Sequence, residues 1–282
     1  MKYEIQGIKN KVCVITGGAG VIGTSLGLGL AEAGAKVAIV DFNLERAKDV
    51  ADEINKKSGS DSAIGIFANV LDKDLLLQSK KEINDSLGRI DALINGAGGN
   101  APTATTKSEF VTPDNIDDLS TSLLGLEIDS FRKVFDLNFL GTVLPTMVYG
   151  EDLIKNGGSI INISSMNAFR PLTKIPAYSA AKAGINNLTE WLAVHFAKVN
   201  IRVNAIAPGF FVTDQNRFLL YDKESGKLTA RGEKIINNTP MGRFGEPDEL
   251  IGTLLYLVSD LSKFVTGVVI PVDGGFNSYS GV

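Results

Sequence analysis

A β-branched run at 12–16 stops at the pair Gly17-Gly18, after which apolar residues return at Ile22, Leu26, Leu30 and Ala33 with a helical period. Strand, glycine turn and helix in that order admit few architectures. The alternation then continues: strands at 36–40, 63–67, 92–95, around 160–163, 201–207 and 268–272, with helical stretches at 45–57, 74–87, 130–150, 178–198 and 250–259 between them. Strands alternating with helices predict a parallel sheet covered on both faces, with a ligand at the carboxyl ends of the strands. The expectation is therefore an α/β chain, a doubly wound parallel sheet of seven strands with helices on both faces. It forms one domain over 1–282.

The turn itself reads T16-G-G-A-G-V-I-G23. Glycines there let backbone approach a pyrophosphate, whose charge rests on the N-terminus of the following helix. Gly17, Gly18, Gly20, Val21, Ile22 and Gly23 are thus candidate cofactor contacts. The next strand ends in Asp41, 24 residues after Gly17, where an acidic residue accepts from the adenosine ribose hydroxyls. A carboxylate repels a 2′-phosphate, and Phe42 beside it supplies no guanidinium to receive one. NAD is expected over NADP. Inside the first helix, Gly27 and Gly29 each cost about 1 kcal/mol relative to alanine, which close packing on the sheet would offset.

A second segment, INISSMNAFRPLTKIPAYSAAK, sets Ser165, Tyr178 and Lys182 in order. Ser165 falls at the end of a strand, and Tyr178 and Lys182 lie four apart on one helical face. A free phenol has a pKa of about 10, so bringing it near neutrality takes about 4 kcal/mol of differential stabilisation. An adjacent ammonium and a helix N-terminus both act in that direction. The expectation is a depressed Tyr178 pKa, with Ser165 holding a substrate oxygen against the phenol. Tyr-x3-Lys alone is equally well a surface helical pair.

Taken together, Ser-x12-Tyr-x3-Lys, the glycine turn, Asp41, Asn69-Val70, the Asn95-Gly-Ala-Gly98 turn, Asn138 and Pro208-Gly209-x3-Thr213 resemble the short-chain dehydrogenase/reductase family, whose motifs occur in order over roughly residues 10–275. The chain departs from the family pattern at three places. Val21 occupies the middle glycine position, with Gly20 one place earlier; Asn69 replaces an aspartate; Gly96 replaces an asparagine. The resemblance implies a Rossmann-type fold and a catalytic set of Asn138, Ser165, Tyr178 and Lys182. It places Asn69 and Val70 against the adenine, and Asn95, Ala97 and Gly98 beneath the adenine-ribose side. Tyr178 and Lys182 also hold the nicotinamide ribose, and Pro208, Gly209, Val212 and Thr213 the nicotinamide end. It further implies a homotetramer through the helices at 130–150 and 178–198 and the last strand. Phe131, Phe135, Trp191 and Phe196 suit either such a contact or a core. His195, the sole histidine, reads as packed or interfacial rather than catalytic.

Composition narrows the partners. With 28 basic against 32 acidic residues the net charge is −4, so neither a nucleic-acid nor an anionic-membrane footprint is present. The single Cys13 lies in an apolar strand run and admits no internal disulfide. No signal-type apolar core opens the sequence, and no stretch reaches about 18 uninterrupted apolar residues; a cytoplasmic protein is expected. No metal-ligand cluster is evident. The irregular stretch 100–129 reads as an insertion, and 210–240 as a lid, both bordering a substrate pocket. The runs LINGAGGN, ISSMNAF and IAPGFFVT resemble the sugar-acid branch of the family, implying reduction of a sugar-acid ketone or oxidation of the alcohol. Such a substrate needs a cation and several polar groups. Asn100, Ser165, Asn167, Lys174 and Arg217 are the candidates, with Gln215 and Asn216 as further polar groups, and Arg217 is either the carboxylate partner or a solvated loop charge. A 3-ketoacyl reductase and a cofactor-binding protein without catalysis are the alternatives.

Overall fold

The computed structural model describes residues 5–59, 61–213 and 216–281. Seven parallel strands form one sheet: β1 (Val12–Thr16), β2 (Lys36–Asp41), β3 (Ala63–Phe67), β4 (Ala92–Asn95), β5 (Gly158–Ile163), β6 (Ile201–Pro208) and β7 (Val269–Val272), ordered β3-β2-β1-β4-β5-β6-β7. The chain runs outward through β2 and β3, then returns to place β4 beside β1. A crevice opens at that reversal, outside the carboxyl ends of β1 and β4. Every residue of β1 and β4 is buried, as expected for central parallel strands covered on both faces.

The helices are α1 (Val21–Glu32), α2 (Leu44–Ser58), α3 (Lys73–Ser86), α4 (Ile128–Asn156), α5 (Pro176–Phe196), the single turn α6 (Arg217–Leu220), α7 (Ala230–Asn237) and α8 (Ile251–Val258). Local chemistry sets their starts. Asn43 caps α2 by accepting from the Arg46 amide, and Asp72 caps α3 by accepting from those of Asp74 and Leu75. Two apolar cores result. One joins Leu26, Leu30, Ile54 and Leu254 to Ile15 and Ile39, and the other joins Leu76, Ile83, Tyr149 and Leu192 to Val14, Leu93 and Ile160.

The glycines of α1 answer two different neighbours. A Cβ at Gly27 would stand 2.9 Å from Ile54 and 3.0 Å from Ile39, so α2 and the sheet both close on it. One at Gly29 would meet Ile251 of α8 at 2.4 Å; a helix, not the sheet, requires that glycine. Phe131 and Phe196 pack against core clusters, whereas Trp191 is 58 % exposed and stacks on His195 with ring centroids 4.6 Å apart. Between β4 and α4 the chain forms short 3-10 turns at Pro102–Ala104, Leu119–Thr121 and Leu123–Gly125. Glu109 in this stretch pairs with Lys234 at 3.0 Å and Arg231 at 3.9 Å, both on α7. Among the described residues no helix is long and apolar enough to cross a membrane.

Candidate active site

Ser165 ends the run that follows β5, and its Oγ accepts from the Asn167 amide at 3.2 Å. Pro176 opens α5 with a fixed φ, which places Tyr178 in its first turn and Lys182 one turn further on. Lys182 Nζ stands 5.6 Å from the Tyr178 ring centroid. It donates to the Ile163 carbonyl at 2.7 Å, beneath the strand end. Asn138, fully buried in α4, grips Gly99 on both sides: Oδ1 accepts from the Gly99 amide at 3.1 Å, and Nδ2 donates to its carbonyl at 2.7 Å. Gly98 completes the wall, since a Cβ there would lie 2.6 Å from Asn138 Oδ1 and 3.4 Å from Lys182 Nζ. Asn138, Ser165, Tyr178 and Lys182 thus converge at the carboxyl ends of β4 and β5.

The electrostatics differ from the expected depressed phenol. Burial raises the Tyr178 pKa above its ordinary value, and the Ser165 hydroxyl facing it acts in the opposite direction. Burial also lowers Lys182 from 10.5 to about 8. The ammonium, turned to the Ile163 carbonyl, does not offset desolvation at the phenol. Both groups are pushed toward their neutral forms.

At the crevice, Gly17 has φ +64° and its Cβ position would overlap the Ala97 backbone at 2.7 Å, so the two glycine turns touch. Thr16, not among the candidates, ties them: its hydroxyl accepts from the Gly96 and Ala97 amides at 3.2 and 3.3 Å. Gly20 starts α1 without a side-chain cap, which leaves the first-turn N–H groups of Val21, Ile22 and Gly23 available to an anion. Asp41 lies at the rim, 8 % exposed, its Oδ2 accepting from the Ala19 amide at 3.2 Å and its Oδ1 from the Asn43 amide at 3.1 Å. Phe42 is 78 % exposed. A bare helix N-terminus, a glycine cradle and a rim carboxylate fit a dinucleotide.

The remaining candidates divide. Asn69 is exposed and its Oδ1 accepts from the Leu71 amide, while Val70 is buried. Asn95 faces the interior, joining Thr146 and Asn162 through Nδ2. Pro208 ends β6, and Gly209 sits so close to Asp273 that a Cβ would lie 2.6 Å from its Cα. Val212 packs against the Leu220–Phe244 cluster, and the Thr213 amide donates to Asn216 Oδ1 at 2.8 Å. Asn216 spends its other end on the Phe211 carbonyl, and Asn100 donates to Thr105 at 2.8 Å. Arg217 is exposed at the start of α6, and Gln215 lies outside the described residues. Asn167 and Lys174 line a cavity of about 550 Å³ with Glu109, Leu172 and Ser179, a cavity whose walls include none of Ser165, Tyr178 and Lys182. Asn167 Oδ1 accepts from the Leu172 amide at 2.6 Å and the Ser179 hydroxyl at 3.2 Å, stapling the serine loop to α5. Ser179 carries no motif signal and was legible only as Tyr178's neighbour. Among the described residues no group of three or more His, Cys, Asp or Glu is placed to hold a metal ion.

The sheet reversal, the glycine cradle and the Ser165–Tyr178–Lys182 cluster define a nicotinamide-dependent oxidoreductase. Residues 17–277 match the family described as enoyl-(acyl carrier protein) reductase, and the chain belongs to the short-chain dehydrogenase/reductase family. An uncharacterized oxidoreductase of Haemophilus influenzae is 52 % identical over 277 residues, 98 % of this chain and 96 % of that one. A solved structure from Haemophilus influenzae, described as a candidate D-mannonate oxidoreductase with bound NAD, is 50 % identical with a TM-score of 0.91, covering 98 % of each chain. A gluconate 5-dehydrogenase from Burkholderia cenocepacia in complex with NADP and tartrate is 29 % identical with a TM-score of 0.83, over 98 % of this chain and 99 % of that one.

Proposed function

We propose that the chain interconverts D-mannonate and D-fructuronate with NAD(H), as a cytoplasmic homotetramer. The carrying observation is the half-buried phenol of Tyr178 facing Ser165, with Lys182 buried one turn further along the same helix, in a chain half identical over almost its whole length to a candidate D-mannonate oxidoreductase. NADH, when bound, supplies the hydride that reaches the ketone carbon. Tyr178 gives its proton to the carbonyl oxygen, so that ketone, hydride and proton become the secondary alcohol. Surroundings that favour the protonated phenol suit that donor role. Ser165 orients and polarises the same oxygen. Lys182 holds the nicotinamide ribose and, with Asn138, relays a proton from solvent to replace the one Tyr178 has given; in alcohol oxidation the same relay runs outward.

Gly17, Gly18, Gly20 and the first turn of α1 hold the pyrophosphate, and Asp41 favours NAD over NADP. The 100–129 insertion and the 210–240 lid border the sugar acid, with Arg217 or Lys174 meeting its carboxylate. A second reading, gluconate 5-dehydrogenase, is supported by the Burkholderia structure. An acyl reductase would need an apolar trough where the 210–240 stretch carries Asn216 and Arg217.

The test follows NADH absorbance with D-fructuronate and 5-keto-D-gluconate in parallel, repeated with NADPH. Fast turnover of fructuronate alone supports the mannonate reading. Preference for 5-keto-D-gluconate moves the substrate to the second reading, and inactivity on both removes the substrate assignment.

A further inference from the structure

The cavity of about 550 Å³ beside the serine loop lies outside the chemistry, since Ser165, Tyr178 and Lys182 are absent from its walls. It is large enough for a small organic ligand. Its walls are mostly apolar, with Phe110, Val111, Leu123, Leu172 and Ile175 among them. Two polar groups interrupt them. Asn167 is 2 % exposed, and its Oδ1 is spent on the Leu172 amide and the Ser179 hydroxyl. The Leu172 donor fixes which end of the side chain is oxygen, so Nδ2 is the end left over, buried and bonded to nothing among the described residues. A buried donor without an acceptor is costly, and an acceptor arriving on a ligand removes that cost. Lys174, the second group, has φ +76°, a backbone that glycine adopts without strain and lysine does not. Its carbonyl accepts from the Thr106 amide at 2.9 Å, which pins the backbone where the 100–129 insertion meets the serine loop. Glu109, the one acid in the walls among the described residues, is engaged by Lys234 at 3.0 Å and Arg231 at 3.9 Å rather than by Lys174.

We infer that this cavity is a second ligand site for an organic carboxylate with an apolar body, the carboxylate received by Asn167 Nδ2 and Lys174 Nζ and the body by the apolar walls. The inference goes beyond the mannonate reading and does not rest on it: Lys174 serves this cavity, and Arg217 remains for the sugar acid. A carboxylate answers both donors at once, being anionic and acceptor-only. A sugar acid does not suit the walls, because its hydroxyls would lose water against Phe110 and Leu172. Occupancy reaches the catalytic serine through Asn167, whose amide donates to Ser165 Oγ at 3.2 Å and whose side chain holds Ser179, the neighbour of Tyr178. A ligand gripping Nδ2 therefore braces the residue that fastens the serine loop to α5, and its effect belongs in kcat rather than in KM.

The test is calorimetry on the full chain with octanoate as the probe and octanamide as its uncharged counterpart. One octanoate per chain is expected, with octanamide at least about tenfold weaker for want of the charge-assisted contact. Val111→Trp, which fills the cavity from a position 56 % exposed, and Lys174→Met are each expected to weaken octanoate at least about tenfold. Tyr178→Phe and Arg217→Ala, outside the cavity, should change its affinity by less than about twofold. A loss on either of these with Val111→Trp unaffected would put the probe in the catalytic pocket and overturn the inference. Equal binding of octanamide, many octanoates per chain, or no octanoate binding by a wild type that still binds NADH would overturn it too. In turnover assays saturating octanoate should change kcat by about twofold or more and leave KM alone; a rise in KM alone marks competition with substrate and counts against a separate site. The binding measurements need no turnover, so inactivity on fructuronate removes the mannonate reading and leaves this one standing.

Discussion

At the scale of single residues, the site depends on a few side chains with distinct tests. Tyr178→Phe removes the proton donor without changing the shape of the cradle, so turnover should vanish while NADH still binds, as followed by fluorescence titration. Asn167 separates a positioning role from substrate contact. Asn167→Ala frees both the Leu172 amide and the Ser179 hydroxyl, and kcat is expected to fall by about tenfold or more with a smaller change in KM. Asn167→Asp keeps the acceptor and loses the amide donor, so it should retain most of kcat. A larger loss for the aspartate variant, concentrated in KM, would show that Asn167 touches substrate instead. Lys182 gives a pH signature. Folding lowers its pKa from 10.5 to about 8, so between those values the folded chain binds fewer protons than the unfolded one, and its stability gains as pH rises. The thermal midpoint of wild type should therefore improve relative to Lys182→Met from pH 8 to 10.5, and a flat difference would contradict the burial argument. The Ser165–Tyr178–Lys182 spacing was legible because four residues make one helical turn, but its electrostatics were not, because desolvation is a property of the assembled surroundings.

At the scale of elements, periodicity and capping carried most of the fold. The seven strands were visible as β-branched runs and α2 as a charged amphipathic stretch, yet α4 runs 29 residues, Ile128–Asn156, beyond the periodic 130–150 at both ends. The added C-terminal turns are held by Leu153, fully buried in the second core, whose charged neighbours Glu151, Asp152 and Lys155 mask it in the sequence. Gly29 shows the same limit: a glycine inside a helix marks a close approach, but the neighbour, Ile251, is more than two hundred residues away. Gly29→Ala should destabilise the chain by about 1–3 kcal/mol despite alanine's better helix propensity, because its Cβ overpacks that contact. Combining it with Ile251→Ala should recover part of the loss on the Gly29 side in a denaturant double-mutant cycle. Stabilisation by Gly29→Ala alone would sink the contact as the reason for the glycine.

For the whole molecule, the exposed apolar side chains on the paired helices α4 and α5, Met147, Ile154, Trp191 and Val194, support the proposed tetramer. Light scattering on Val194→Glu should show dissociation, and an unchanged mass would move the interface elsewhere. The sequence made the order of the motifs plain, while the association of distant loops stayed hidden, since charges 125 residues apart leave no local pattern. Glu109 and α7 are such a case. The Glu109 carboxyl is held below its ordinary pKa chiefly by its hydrogen bond to Lys234, and this bond sits at the surface, where ions compete for it. If 100–129 and 210–240 flank the sugar acid, the pair acts as an electrostatic latch between them, and the latch has a solvent-borne key: moderate salt should hasten exchange of bound molecules, raising a release-limited turnover before it weakens capture of an anionic substrate.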